Sequence, residues 1–185
     1  PPPPPPPFGP PPPPLGDGTM VGLAVTQMGQ SKSGYATYQV SVEFDPRSVV
    51  DVYALFGEVG AALIIPPAFQ VAAPFGVDTG PVNPAFFPMM PDCQFDSFLT
   101  IGLDGPATQP GALSTVGVDF SSWTESTGIN SDNGAVFFMD PAHGSVSSSV
   151  VFAQLTVSTG TRFSGAISAQ GKSAGGAADW VELNL

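Results

Sequence analysis

Twelve of the first fourteen residues are proline, and only Phe8 and Gly9 interrupt the run (PPPPPPPFGPPPPP). Proline's ring locks φ and removes the N–H, so such a segment enters neither a helix nor a β-ladder. The run predicts polyproline II, which rises about 3.1 Å per residue and would span roughly 40 Å. It is stiff, so ordering it against a surface costs little entropy. A spacer or a docking arm is the natural use. Residues 15–18, beginning at Leu15, form a short hinge. The expected division is therefore an arm and hinge over 1–18 and a domain over 19–185.

Past the hinge the pattern changes to period two. In YATYQVSVEF (35–44), Ala36, Tyr38, Val40, Val42 and Phe44 fall on one face, and Thr37, Gln39, Ser41 and Glu43 on the other. Residues 150–158 alternate again, with Val151, Ala153, Leu155 and Val157 opposite Gln154, Thr156 and Ser158. Further strands are expected at 20–28, 49–56, 61–65, 97–103, 115–120, 135–139, 162–169 and 179–185. Turn signals separate them at Asp45-Pro46, Asp104-Gly105-Pro106, Asn133-Gly134, residues 158–160 and Gly175-Gly176. Only residues 48–56 suggest a helical turn or two. Ten short strands with Gly/Pro turns predict an all-β, antiparallel sandwich or jelly roll.

Four Lys plus Arg against fifteen Asp plus Glu give a formal charge of −11. Nucleic acid and anionic membrane surfaces both demand a basic face, so neither is an expected partner. The apolar runs break well short of the roughly 20 residues that span a bilayer. Charged residues make up 10% of the chain, against about 25% in an ordinary domain. A hydroxyl-rich, charge-poor surface suits an extracellular setting where it is glycosylated or packed against neighbours. The chain begins at Pro1, which is expected of a mature or partial product. Asn83, Asn130, Asn133 and Asn184 form no N-glycosylation sequon. Any sugar is therefore expected on Ser, Thr or hydroxylated proline, with Pro3, Pro4, Pro5, Pro11 and Pro12 as candidates. The single Cys93 makes no internal disulfide and is either a buried thiol or an intermolecular link.

Residues 66–96 stand apart. They hold seven prolines together with Phe69, Phe75, Phe86, Phe87, Met89 and Met90. Prolines interrupt ladders, yet each aromatic gains about 1.5–3 kcal/mol by burial. The segment either covers the open end of the sandwich or offers an apolar contact surface to a neighbour. Those six side chains are the candidate receiving surface for an arm.

Signals for chemistry are weak. His143 is the only histidine and lies in a turn, with no G-x-S-x-G elbow to supply a nucleophile. One His and one Cys do not make a zinc site. Gly171-Lys172-Ser173 resembles the end of a phosphate loop, but Ala166 stands where the first glycine belongs, so a hairpin turn is expected. Residues 130–134 (NSDNG) carry alternating oxygen ligands but lack the acidic twelfth position of an EF-hand. A hairpin turn at Asn133-Gly134 explains them, and calcium is the one cofactor left open. Asp92 and Asp96 flank Cys93 and form a candidate carboxylate pair. Trp123 and Trp180 are either core or sugar-stacking platforms.

Several blocks form a spaced pattern: Asp96-Ser97-Phe98-Leu99-Thr100-Ile101-Gly102-Leu103, Val116-Gly117-Val118-Asp119-Phe120, Gly134-Ala135-Val136-Phe137-Phe138, Ala153-Gln154-Leu155-Thr156-Val157, Gln170-Gly171-Lys172 and Asp179-Trp180. Together they resemble repeated extracellular β domains of microalgal and aquatic microbial surface proteins. The nearest similarity is to fibril-forming proteins found as helical filaments in fresh water, in which a Pro-rich segment accompanies a β domain. The proline run also resembles that of hydroxyproline-rich algal wall glycoproteins, although this chain lacks their many cysteines. The resemblance implies a secreted, non-enzymatic, filament-forming role, often with glycans, and supplies no catalytic residues.

The expected function is therefore a structural subunit of an extracellular helical filament built from copies of itself. Its assembly arm is represented by Pro1, Pro7, Phe8, Pro10, Pro14 and Leu15. Residues 20–28 are a second candidate contact, as a strand added to a neighbour's open edge. The alternatives are a carbohydrate-binding or adhesive module, a monomeric domain with a proline linker, and an enzyme.

Overall fold

A computed structural model describes residues 21–105, 113–176 and 179–185. The arm, the hinge and the candidate glycosylated prolines lie outside the described residues.

The described chain is all-β and antiparallel. One sheet is formed by β1 (Val21–Gln27), β2 (Tyr35–Phe44), β5 (Phe98–Leu99) and β9 (Ser149–Ser158), in the order β1-β2-β9-β5. A second contains β3 (Ala54–Gly57), β6 (Ser114–Val116), β8 (Gly134–Phe137), β10 (Ser168–Lys172) and β11 (Asp179–Glu182), in the order β11-β10-β3-β8-β6. β4 (Leu63–Ile65) and β7 (Ile129–Ser131) make a third, two-stranded ladder. The helical residues are 3₁₀ turns of three to five residues. No described helix is long and apolar enough to cross a membrane.

The period-two pattern positions the core. Val40, Val42 and Phe44 of β2 join Leu55 of β3, Val136 of β8, Ala169 of β10 and Trp180 of β11 in one buried apolar cluster. Each large side chain withdrawn from water in this way contributes about 1.5–3 kcal/mol. In β9 the expected phase holds only from Ala153 onward. Val40 opposes Ala153 and Ser41 opposes Val151, so Phe152 is the extra residue of a bulge. The bulge sends Val150 and Phe152 into the core and turns Val151 to the other face. Strict alternation had placed Val151 inside, and a bulge leaves no mark in that alternation.

Other boundaries shift as well. The region expected as a strand over 49–56 pairs continuously only from Ala54, with isolated bridges at Val49 and Val52 and no helical turn. The strand expected over 162–169 begins at Ser168. β7 occupies residues assigned to a turn. Asn133-Gly134 connects β7 to β8, which do not pair with each other, so it is not a hairpin. Gly171 and Lys172 lie inside β10 rather than in its turn. The need for glycine there is steric: a Cβ on Gly171 would lie 1.8 Å from the Asp51 carbonyl oxygen.

The second face of the first sheet is polar but not bare. The Thr37 and Thr156 hydroxyls bond across β2 and β9 at 2.9 Å in a buried setting. The Gln154 amide donates to the carbonyls of Gln94 (3.1 Å) and Asp96 (2.8 Å). The proline- and phenylalanine-rich segment therefore lies over this face and its β9 side.

Candidate functional site

The two edges of the first sheet are finished differently. Beyond β9 lies β5, and beyond β5 comes residue 79, bridged in parallel to Leu99. The Leu99 N–H donates to the Asp78 carbonyl, and the Gly80 N–H to that of Leu99. Further along β9, the Thr156 N–H donates to the Ser97 hydroxyl and the Phe69 N–H to the Thr156 carbonyl. This side has no open hydrogen-bonding row between Phe152 and Thr156.

The opposite edge is β1, which pairs with β2 alone. Its seven residues, VGLAVTQ, include no charge and no proline. The Met28 N–H donates to the Thr37 carbonyl at 2.8 Å. The antiparallel alternation then turns the backbone groups of Gly22, Ala24 and Thr26 toward β2, and those of Val21, Leu23, Val25 and Gln27 outward. Among the described residues no strand pairs with that outward row. Residues 20–28 were expected as a strand donated to a neighbour. Residues 21–27 instead complete the chain's own sheet, because their apolar side chains oppose Val40, Val42 and Phe44.

Near the Tyr35–Ser158 end of the same sheet opens a cleft of about 550 Å³. Tyr35 and Phe69 meet there with ring centroids 5.5 Å apart, and Phe163 lies edge-on to Tyr38 at 5.2 Å. Pro66 and Pro67 contribute to the wall, together with Asn130, Thr161 and Arg162. The Tyr35 hydroxyl donates to Glu125 Oε2 at 2.7 Å, and this bond raises the phenol's pKa. Outside the cleft, the Lys32 ammonium sits 5.1 Å from the Phe69 ring centroid and pairs with Asp92.

The six residues expected as one receiving surface are dispersed. Phe69 lines this cleft. Phe75 and Phe86 pack edge to face at 5.7 Å. Phe87 lines a separate cleft of about 470 Å³ beside Cys93 and Gln154. Met89 and Met90 are exposed. None of the four phenylalanines is fully buried. Tyr35, Arg162 and Phe163 were not singled out from the sequence, since they lie at strand ends and in a loop with no local motif.

Asp92 and Asp96 do not act as a pair. Asp92 faces Lys32. Asp96 is fully buried and accepts the Val71 N–H on Oδ1 and the Val77 N–H on Oδ2, each at 2.7 Å. Burial pushes its carboxyl up to about 6, although the two amide donors pull the other way. It anchors the loop 71–77. Cys93 is a buried free thiol, and burial, reinforced by Asp96 and Asp92, raises its pKa. Both tryptophans are buried. The Trp123 indole N–H donates to the Pro66 carbonyl at 2.9 Å and that of Trp180 to the Asp51 carbonyl at 3.0 Å, so neither ring is free to stack on a sugar. His143 is exposed beside Asp140, with Nδ1 3.8 Å from the carboxylate. Within residues 130–134, only Asp132 and Asn133 lie between β7 and β8, and the Ser131 hydroxyl donates to the Gly117 carbonyl at 2.8 Å.

No protein-family model, curated protein or solved structure matches this chain.

Proposed function

We propose that this chain is a structural subunit of an extracellular filament that assembles from copies of itself through its proline-rich arm and β domain, with glycans on hydroxylated prolines. The observation that carries this reading is the edge of β1, unpaired among the described residues, in the strand that follows the arm and hinge in sequence. Natural sheets usually blunt an edge with charge, proline, a bulge or a covering loop. The opposite edge of this sheet has such a cover, whereas β1 has none of these devices among the described residues. A long, uncharged edge is a template for another chain. A contact between unlike surfaces of identical copies that does not close generates an open helical polymer.

The charge of −11 per copy opposes stacking, so assembly should strengthen as salt screens it over roughly 10 Å at 0.1 M. Electron microscopy and sedimentation of the full chain at increasing concentration and salt test the reading. Filaments of regular width are the expected result, and monodisperse single copies at every concentration would refute it. Intact-mass measurement of natively produced protein should show added oxygen atoms and pentose or hexose units that map to the proline run.

A further inference from the structure

We propose that the cleft lined by Tyr35, Phe69 and Phe163 is the seat for the proline run of a neighbouring copy. The inference rests on the filament reading above and adds where the arm goes.

The chemistry is complementary. A polyproline segment presents flat ring faces and a row of carbonyl acceptors, and it has no N–H to donate. Its receptors are aromatic-lined grooves. This cleft has Tyr35 and Phe69 side by side and is also lined by Phe163, which packs edge-on against Tyr38; all three lining rings are half-buried. Arg162, Asn130 and Thr161 supply donors suited to prolyl carbonyls. The one carboxylate among the described residues of its wall, Glu125, already accepts from Tyr35. The volume of about 550 Å³ falls within the roughly 300–1,000 Å³ of ordinary ligand clefts.

The direction of the chain favours a second copy over the same one. Val21 opposes Phe44 at one end of β2, whereas the cleft opens at the Tyr35–Ser158 end. The nine residue steps between them amount to about 30 Å. An arm that prolongs β1 backward from Val21 leaves the domain at the end remote from its own cleft. To fill its own cleft, chain preceding Val21 would have to return over the roughly 30 Å that separate the two ends of the sheet. The cleft of a copy placed beyond Val21 needs no such return. Exit at one end and a receptor at the other is a head-to-tail contact, and repeating it yields an open chain of subunits.

Disulfide trapping on the full-length chain tests this. A Phe8→Cys variant is mixed with a Ser164→Cys variant, Ser164 being an exposed residue of the cleft wall. The native Cys93 is buried and stays out of the exchange. Mild oxidation should join the two different variants in a covalent pair. No bond between them, or a bond only within one chain when both substitutions share it, overturns the proposal. Phe69→Ala should raise the concentration needed for assembly by about tenfold, the effect of losing a modest aromatic anchor. Arg162→Glu, at an exposed loop position, should raise it too without touching the core. Unchanged assembly in both variants overturns the cleft as receptor. Filaments without cross-linking leave the polymer standing and remove the cleft; a chain that neither polymerises nor cross-links removes both.

Discussion

Beside β5, residues 78–80 take up the hydrogen bonds of Leu99, and Ser97 and Phe69 continue the row along β9. Beside β1, on the other edge of the same sheet, the outward backbone groups of Val21, Leu23, Val25 and Gln27 in an uncharged seven-residue strand have no strand against them among the described residues. The covered edge is reached through a segment with seven prolines, which interrupt any continuous ladder, so the segment meets the sheet at a few points instead. The bare edge is a regular strand with every second backbone group unpaired. The contrast teaches that proline content does not tell which edge is protected. The proline-rich insertion closes one side, and a strand with no proline at all leaves the other open.

The contrast can be broken from the covered side first. Leu99 is 2% exposed at the junction of β5 and the core, and Leu99→Ala should cost about 3 kcal/mol in urea unfolding. A loss below about 1 kcal/mol would mean that the cover is not packed as described. The bare edge calls for a paired test. Thr26→Pro removes an N–H that faces β2 and should cost about 2 kcal/mol, since it strands a carbonyl acceptor. Val25→Pro removes an outward N–H and should leave stability nearly unchanged while suppressing polymerisation. If both variants unfold alike, the assignment of outward groups is wrong.

A pH scan sharpens the comparison at the cover's anchor. The Asp96 carboxyl stands at about 6 in the fold because burial disfavours its charge, against about 3.9 for a free aspartate. The folded state thus holds its proton more tightly than the unfolded chain. This contribution to stability is full below about pH 4 and is lost as pH rises through about 6. Thermal unfolding from pH 4 to 7.5 should show a decline that Asp96→Asn removes, from a lower starting stability. The amide would turn an NH₂ group toward one of the Val71 and Val77 N–H donors. The smallest effect is expected at Lys32, whose partly exposed pair with Asp92 is worth below about 1 kcal/mol; Lys32→Met should move the unfolding midpoint little.

The all-β class was legible because period-two alternation in 35–44 and 150–158 admits one reading. The two central strands of the first sheet lie where that pattern puts them. The β9 bulge was not legible, since whether Phe152 is the extra residue depends on how β2 lies beside it. β7 was missed for a related reason. Ile129-Asn130-Ser131 has turn-like composition and becomes a strand only because β4 supplies a partner. At the candidate site, Phe69 was visible as an aromatic in a proline-rich segment, whereas Tyr35, Phe163 and Arg162 were not. They lie far apart in the chain, and only the folded sheet brings them to one end.

Local chemistry, written residue by residue, determined the all-β class, the two central strands, the proline breaks between strands and the acidic charge of −11. Those follow from φ restriction, side-chain alternation and counting, and need no partner. Tertiary structure alone decided which edge is sealed, that both indoles are interior, that Asp96 binds a loop rather than pairing with Asp92, and where the aromatic cleft opens. Each depends on contacts between segments distant in sequence, and the free energy of such contacts belongs to the pair and not to either stretch alone.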